Sequence, residues 1–293
     1  MSPRTHVDLH LHTSLSDGDD APGELAERCH RAGVRVAACT DHDTLAGAAA
    51  FGAAARRLGI TPVPGCEITA LWHGREVHCL AYFVDPGDAV LPGRLALVRG
   101  AELDWWRAWF RRAGAIGAPV TWADVEAKVG TDRVPYIGDL LDLFLVAVDG
   151  DPRFAGYPRG GRHDRFIGDW CRAGRALHVP KPWRPQLAEV AGWICDAGGV
   201  AVLAHPARSL GDEPWRLDEL RGAGLAGVEV WSTWHDPAQI RRLAEECCRL
   251  GLIGTQGSDY HGARLKPWVP RPGVVPEGAP DPIAIVDELA ARR

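Results

Sequence analysis

The chain has 293 residues, with 33 Lys and Arg against 38 Asp and Glu, a net charge of -5, 46% apolar and 24% charged residues. That size suits one large α/β domain, or a domain carrying an insertion, and the charge offers no basic field for long nucleic acid. No run reaches the roughly 18 apolar residues of a membrane-crossing helix, and no apolar leader precedes the first strand, so the expected location is the cytoplasm.

The first strand reads His6-Val7-Asp8-Leu9-His10-Leu11-His12. Alternate side chains of a strand share a face, so His10 and His12 point one way and Leu9 and Leu11 the other. Two imidazoles aimed at one point make half a metal site. A turn, Ser16-Asp17-Gly18, follows, then a helix over 22–32 with Pro22 at its start and Gly33 past its end. A buried strand over 34–40 leads into Asp41-His42-Asp43, and Thr44 is positioned to cap a helix running to 58. Strands over 60–68 and 76–84 carry Glu67 and His78. Strand and helix alternating in this way predict a parallel sheet, with polar residues recurring at the carboxyl ends of strands, where parallel barrels place their chemistry.

The alternation then breaks. Residues 95–180 read as a mostly helical insertion that would cap a substrate, with helices expected over 94–113, 136–148 and 163–176 and an irregular loop over 149–161. It divides a barrel domain into 1–94 and 181–293. In the second part, strands are expected over 199–204, 227–231 and 252–255, and helices over 185–196, 214–222, 237–250 and 282–292. The first and last of these strands end in His205-Pro206 and Gly257-Ser258-Asp259-Tyr260-His261-Gly262.

Collected from the strand ends, His10, His12, Asp17, His42, Glu67, His78, His205, Asp259 and His261 form a set of six imidazoles and three carboxylates. Taken singly, each has a structural explanation: a lone His78 as a hydrogen-bonded core residue, Asp17 as a turn former. Jointly, so many buried ionisable groups without a cation would cost more than folding supplies. Nine ligands exceed the four or so that one zinc takes, so two or three divalent ions are expected, with Zn, Mn or Fe all compatible with the donors. The eight cysteines form no CxxC pair and read as reduced thiols rather than as disulfides or zinc ligands.

The motifs Asp-Leu-His-x-His, Ser-Asp-Gly, Thr-Asp-His-Asp, Gly65-Cys66-Glu67, Ala-His-Pro and Gly-Ser-Asp-x-His-Gly occur in an order that resembles the polymerase and histidinol phosphatase (PHP) family of metallophosphoesterases. The resemblance implies a distorted (β/α)7 TIM-like barrel with a trinuclear metal centre at its carboxyl rim. It also implies a pairing of ligands. His10 and His12 would hold one ion with Glu67 and Asp259. Glu67 would bridge to a second held by His78 and His205, and Asp17, His42 and His261 would hold a third. Asp8 and Asp41 would orient imidazoles from behind. The implied activity is hydrolysis of a phosphate monoester of a small molecule by attack of a metal-bridging hydroxide, with Glu67 and Asp259 in the catalytic centre.

Within the family the chain resembles the bacterial 3',5'-nucleotide phosphatases and 5'-3' exoribonucleases. Arg208, just after His205-Pro206, is the first candidate for a catalytic, phosphate-binding cation; Arg133 and Lys181 are further substrate-binding candidates, weaker because each reads more readily as a solvated charge. His235 and Asp19 are candidates for a general acid. The chain departs from the subgroup at Asp132-Arg133-Val134-Pro135-Tyr136, where an Arg-Pro-His-like element is usual, and at Ala207, where glycine is common. That leaves a different phosphorylated metabolite open as substrate. Arginines 153, 159, 162, 165, 172 and 175 form either a steering patch or a solvated face. Tryptophans 105, 106, 109, 122, 170 and 183 either stack on a base or pack a core, the helical spacing of Trp105 and Trp109 favouring core. The alternatives are a 5'-3' exonuclease on short oligonucleotides, a non-catalytic metal-binding module, and an amidohydrolase, which would be expected to carry a bridging Lys where Glu67 stands.

Overall fold

The computed structural model describes residues 6–85, 87–130, 133–160, 163–211 and 215–293. Asp132 and Arg162, named above, lie outside them, as does the first position of the helix expected over 214–222. The chain forms two compact units: Met1–Ala96 with Arg184–Arg293, and Leu97–Trp183.

The first unit is built on one seven-stranded sheet whose spatial order is the chain order: β1 (His6–Leu11), β2 (Val34–Cys39), β3 (Thr61–Trp72), β4 (Arg75–Tyr82), β5 (Val200–Leu203), β6 (Gly227–Ser232) and β7 (Ile253–Gly257). The ends of the sheet meet. His12 N donates to Tyr260 O at 2.9 Å, Gln256 Nε2 to Val7 O at 2.6 Å, and Ser258 N and Oγ to Asp8 at 2.9 and 2.6 Å. The result is a distorted, nearly closed seven-stranded α/β barrel, the class the motifs imply. The helices Pro22–Arg31 and Ala48–Arg57 pack Leu25, Cys29 and Phe51 against Leu11, Ile60 and Tyr260 in one buried layer.

The expectation of a parallel sheet fails at one strand. β4 pairs antiparallel with both β3 and β5, while the other pairs are parallel. The cause is local: β3 and β4 are joined by His73-Gly74 alone, both at positive φ (48° and 75°), a two-residue turn that can only make a hairpin. This inversion places the site. The starting half of β4, with His78, faces the same rim as the finishing halves of its parallel neighbours. Glu67 likewise lies inside the twelve-residue β3, not at its end. A smaller difference concerns Thr44. Its Oγ1 accepts Ala46 N at 3.2 Å in a turn, and the helix starts only at Ala48.

The second unit has its own core. The helices Leu91–Ala115 (which contains the boundary), Trp122–Val129 and Ile137–Ala147 bring together Trp106, Trp109, Phe110, Phe144, Phe154 and Phe166. Trp105, Trp122 and Trp170 pack against this cluster, while Trp183 is 52% exposed. The single helix expected over 163–176 is a turn, Asp164–Phe166, running into one π turn, Ile167–Cys171, with Gly168 and Gly174 inside the span. Three of the described arginines of the basic stretch face acids: Arg153 with Asp151, Arg159 with Asp149 and Arg165 with Asp169.

All eight cysteines are free; Cys195 and Cys248 are exposed and Cys171 half-buried. Burial pushes the Cys39 and Cys66 thiols well above their usual range and Cys79 up to about 12, so they carry almost no thiolate at neutral pH. A disulfide reagent at pH 8 is therefore expected to label Cys195 and Cys248 quickly in the native protein, and the buried thiols only after denaturation. Fast labelling of Cys39, Cys66 or Cys79 in the native state would contradict this packing.

Candidate metal centre

Glu67 stands at the centre of the barrel rim. Its Oε1 lies 2.9 Å from His78 Nδ1 and 3.0 Å from His205 Nε2. Its Oε2 lies 3.1 Å from His10 Nε2, 3.2 Å from His12 Nε2 and 3.2 Å from His42 Nδ1. Five imidazoles thus converge on one fully buried carboxylate. Asp259 Oδ1 approaches His10, His12 and His261 at 3.2 to 3.4 Å. Asp17 reaches His261 Nε2 at 3.2 Å, His12 Nδ1 at 3.6 Å and His42 Nε2 at 3.9 Å. The structure brings together all nine residues singled out in the sequence. Their donor atoms form three groups, each with its atoms within 4.8 Å of one another: His10, His12, Glu67 and Asp259; His42, Glu67 and His78; and His12, Asp17, His42 and His261.

The backbone is bent to make this possible. Asp43, His205 and Asp259 adopt φ of 52°, 23° and 53°. Such left-handed conformations in non-glycine residues cost of order 1–3 kcal/mol each and concentrate at functional sites.

Electrostatics sort the donors. Burial alone would raise the carboxyls, but the His10, His42 and His78 imidazoles hold Glu67 well below the usual range. His261 and His42 do the same for Asp17, and Lys266 and His10 for Asp259. Burial pushes His42 down to about 3 and lowers His205 and His261, leaving neutral imidazoles with free lone pairs. His10 and His12 differ. Burial opposes their charge, but the carboxylates around them win: Glu67, Glu229 and Asp259 hold His10 well above its ordinary value, and Asp259 and Glu67 bring His12 to about 9.

A cation fits this arrangement. His12 Nδ1 and Nε2 and Asp259 Oδ1 are buried without a hydrogen-bond partner among the described residues. Orphaned buried polar atoms are expensive, and ionised carboxylates beside imidazoles that give up their protons to the ion are the donor chemistry of a divalent metal.

A family model for the PHP domain matches residues 8–98, which carry β1 to β4. Over 87% of both chains, this one is 31% identical to a 3',5'-nucleoside bisphosphate phosphatase of Chromobacterium violaceum. The chain belongs to the PHP family. It is also 30% identical to a phosphoribosyl 1,2-cyclic phosphate 1,2-diphosphodiesterase of Eggerthella lenta, over 87% of this chain and 94% of that one. A solved structure described as a candidate metal-dependent phosphoesterase from Bifidobacterium adolescentis superposes with a TM-score of 0.76 at 31% identity, covering 99% of this chain and 97% of that one. This PHP protein is accordingly a metal-dependent phosphoesterase, a hydrolase of phosphoric esters that uses divalent ions.

Other residues fall differently from expectation. Among the described residues, Asp8 and Asp41 orient no imidazole. Asp8 accepts from Ser258, from Gly273 N at 2.7 Å and from His10 N at 3.3 Å, closing the barrel. Asp41 ties Thr13 and Ser16 into the first turn at 2.7 Å. The orienting carboxylate of the PHP rim is Glu229, fully buried on β6, whose Oε1 lies 2.9 Å from His10 Nδ1 while its Oε2 accepts His205 N at 2.9 Å. In the sequence it is a carboxylate inside the apolar strand GVEVWS, in a Gly227-Val228-Glu229-Val230 stretch that fits the resembled subgroup's pattern without giving Glu229 a role. His235 is not placed as an acid: Nδ1 is committed to Val230 O at 2.8 Å, leaving Nε2 to accept Ala207 N at 3.4 Å. Asp19 accepts Arg264 Nε at 3.0 Å.

The cationic candidates divide between the units. Arg208 is exposed on the short helix Pro206–Leu210, its guanidinium 4.7 Å from the centre of the Trp234 ring. Arg133 and Lys181 belong to the second unit, where Arg133 Nε donates to Val129 O at 3.3 Å and Lys181 Nζ lies 5.7 Å from the Trp105 ring. Trp234 and Lys266, absent from the sequence reading, both grip Asp259 Oδ2 at 2.5 Å.

Gly257, the last residue of β7, lets this strand pass β1. A Cβ there would come within 2.3 Å of His10 Cβ and 2.7 Å of Glu229 Oε1. Gly257→Ala must displace His10 or its orienting carboxylate. We expect the substituted protein to fold, with lower thermal stability, and to lose most of its bound metal by elemental analysis. Full metal content would show that the two strands part without moving His10.

Proposed function

We propose that the protein is a phosphatase of small phosphorylated metabolites, nucleotide-like in character, with two or three divalent ions held by His10, His12, Asp17, His42, Glu67, His78, His205, Asp259 and His261. The observation that carries this reading is the convergence of five imidazoles on both oxygens of Glu67. A carboxylate so placed can serve two ions at once. Donors of imidazole and carboxylate type suit Zn, Mn or Fe. When bound, such ions polarise phosphoryl oxygens, ionise water near neutral pH and neutralise a leaving oxygen.

The chain's own residues supply the rest. Glu229 holds His10 with its second nitrogen facing the cluster, fixing tautomer and direction. Arg208, steadied against the Trp234 ring, offers an exposed planar fork that suits a phosphate dianion. Arg133 and Lys181 are the further candidates for substrate charge, and the second unit is proposed as the substrate cap. Phosphate and nucleotide groups are the chemistry on which the C. violaceum and E. lenta relatives act by name. Eight free thiols support a cytoplasmic location.

The test is a release assay on purified protein loaded in turn with Mn, Zn and Fe. The panel contains nucleoside mono- and bisphosphates, cyclic phosphates, sugar phosphates and short oligoribonucleotides. Inorganic phosphate is expected from at least one small monoester. Mononucleotides released stepwise from the oligonucleotides, with no phosphate from any monoester, would replace this reading by that of an exonuclease. No product from any substrate with any metal would sink both.

A further inference from the structure

Asp259 is held on one side and left open on the other. Its Oδ2 receives Lys266 Nζ and Trp234 Nε1, each at 2.5 Å, and the same ammonium reaches Asp259 O at 3.1 Å. Its Oδ1 has no hydrogen-bond partner among the described residues and lies 3.2 to 3.4 Å from His10, His12 and His261. The two donors also steady each other, since Lys266 Nζ sits 5.0 Å from the centre of the Trp234 ring. Lys266 is only 5% exposed.

A lysine buried beside a cluster that attracts cations is costly in itself and repels the ions it adjoins. It repays that cost only by doing something to the carboxylate it touches. A carboxylate with both oxygens free can chelate one ion through both. With Oδ2 saturated by an ammonium and an indole N–H, only Oδ1 is available, and its direction is set. From this geometry we propose that Lys266 and Trp234 are positioning residues that restrict Asp259 to one-oxygen coordination. They thereby keep a coordination position at the centre open for substrate or water. The inference rests on the reading of Asp259 as a metal ligand.

Cobalt(II) tests it without reference to turnover, because the intensity of its visible bands falls as coordination number rises. Two variants remove the donors while keeping shape: Lys266→Met deletes the ammonium and Trp234→Phe the indole N–H. Titration of the metal-free wild type should show saturable cobalt binding; if it shows none, the metal-ligand reading of the site fails, and the clamp with it. Given wild-type binding, each variant should show weaker visible bands per ion. Trp234→Phe, which removes a supporting donor without changing charge, should also bind cobalt roughly 10-fold more weakly, the usual size when a group supporting a metal ligand is removed. Circular dichroism checks the fold, and two variants guard against one that misfolds. Folded variants with the wild-type cobalt spectrum and affinity would overturn the clamp while leaving the metal reading intact.

Discussion

Glu67→Gln is expected to lower phosphate release by at least ~10³-fold, because the ions are asked to supply several kcal/mol of charge stabilisation and each 1.36 kcal/mol is a factor of ten. The substitution keeps the shape of the side chain. It removes the charge on which His10, His12, His42, His78 and His205 converge, and turns one acceptor oxygen into a donor aimed at imidazoles. Among the described residues no other carboxylate of the cluster reaches His78 or His205: Asp17 faces His261, His12 and His42, and Asp259 faces His10, His12 and His261. Two donor groups share Glu67, so the fall in bound metal should exceed that caused by the loss of a ligand serving one group. Elemental analysis beside the rate assay checks both halves. A Glu67→Gln protein with full metal content and near-native rate would refute the central role given to this residue.

Treatment with a chelator is expected to abolish hydrolysis and to expose a pH dependence that the loaded protein lacks. In the metal-free chain His12 has a pKa near 9 and His10 lies well above its ordinary value, burial being outweighed by the carboxylates. Both protons must leave when ions bind. Metal affinity should therefore climb from pH 7 to 9, by about tenfold per pH unit for each proton displaced. Calorimetry in buffers of differing ionisation enthalpy should register the release. The same protons stabilise the metal-free fold. A pKa raised on folding contributes fully below about 6.5, the unfolded value, and its contribution is lost as pH rises through about 9. The melting temperature of the stripped protein should fall over that window, and that of the loaded protein should not. Affinity and stripped-protein stability that are flat from pH 7 to 9 would contradict the protonation assigned to His10 and His12.

What could be read in advance depended on the range of the physics. His10 and His12 share a face because strand periodicity is two, and no tertiary fact is needed to see it. Asp17, His42, His205, Asp259 and His261 stand in short polar motifs directly after apolar strands. There the chain leaves the barrel, and any barrel of this kind gathers such segments at one rim. The helical spacing of Trp105 and Trp109 likewise announced a packed core. The sequence, through its resemblance to the family, therefore determined the barrel class, and by itself the list of nine side chains that the structure gathers at one rim.

The tertiary structure alone decided how those donors are supported. The two-residue His73-Gly74 turn inverts β4 and aims His78 at Glu67. Glu229 meets His10 across 219 residues of chain, and a lone glutamate in an apolar strand says nothing about what it will face. Lys266 and Trp234 reach Asp259 from separate loops, seven and 25 residues away. Asp8 and Asp41, adjacent to metal motifs in sequence, turned instead to backbone and hydroxyl groups. The physical reason is the same throughout: a donor's identity follows from local spacing, whereas its orientation and charge come from partners brought near only when the barrel closes.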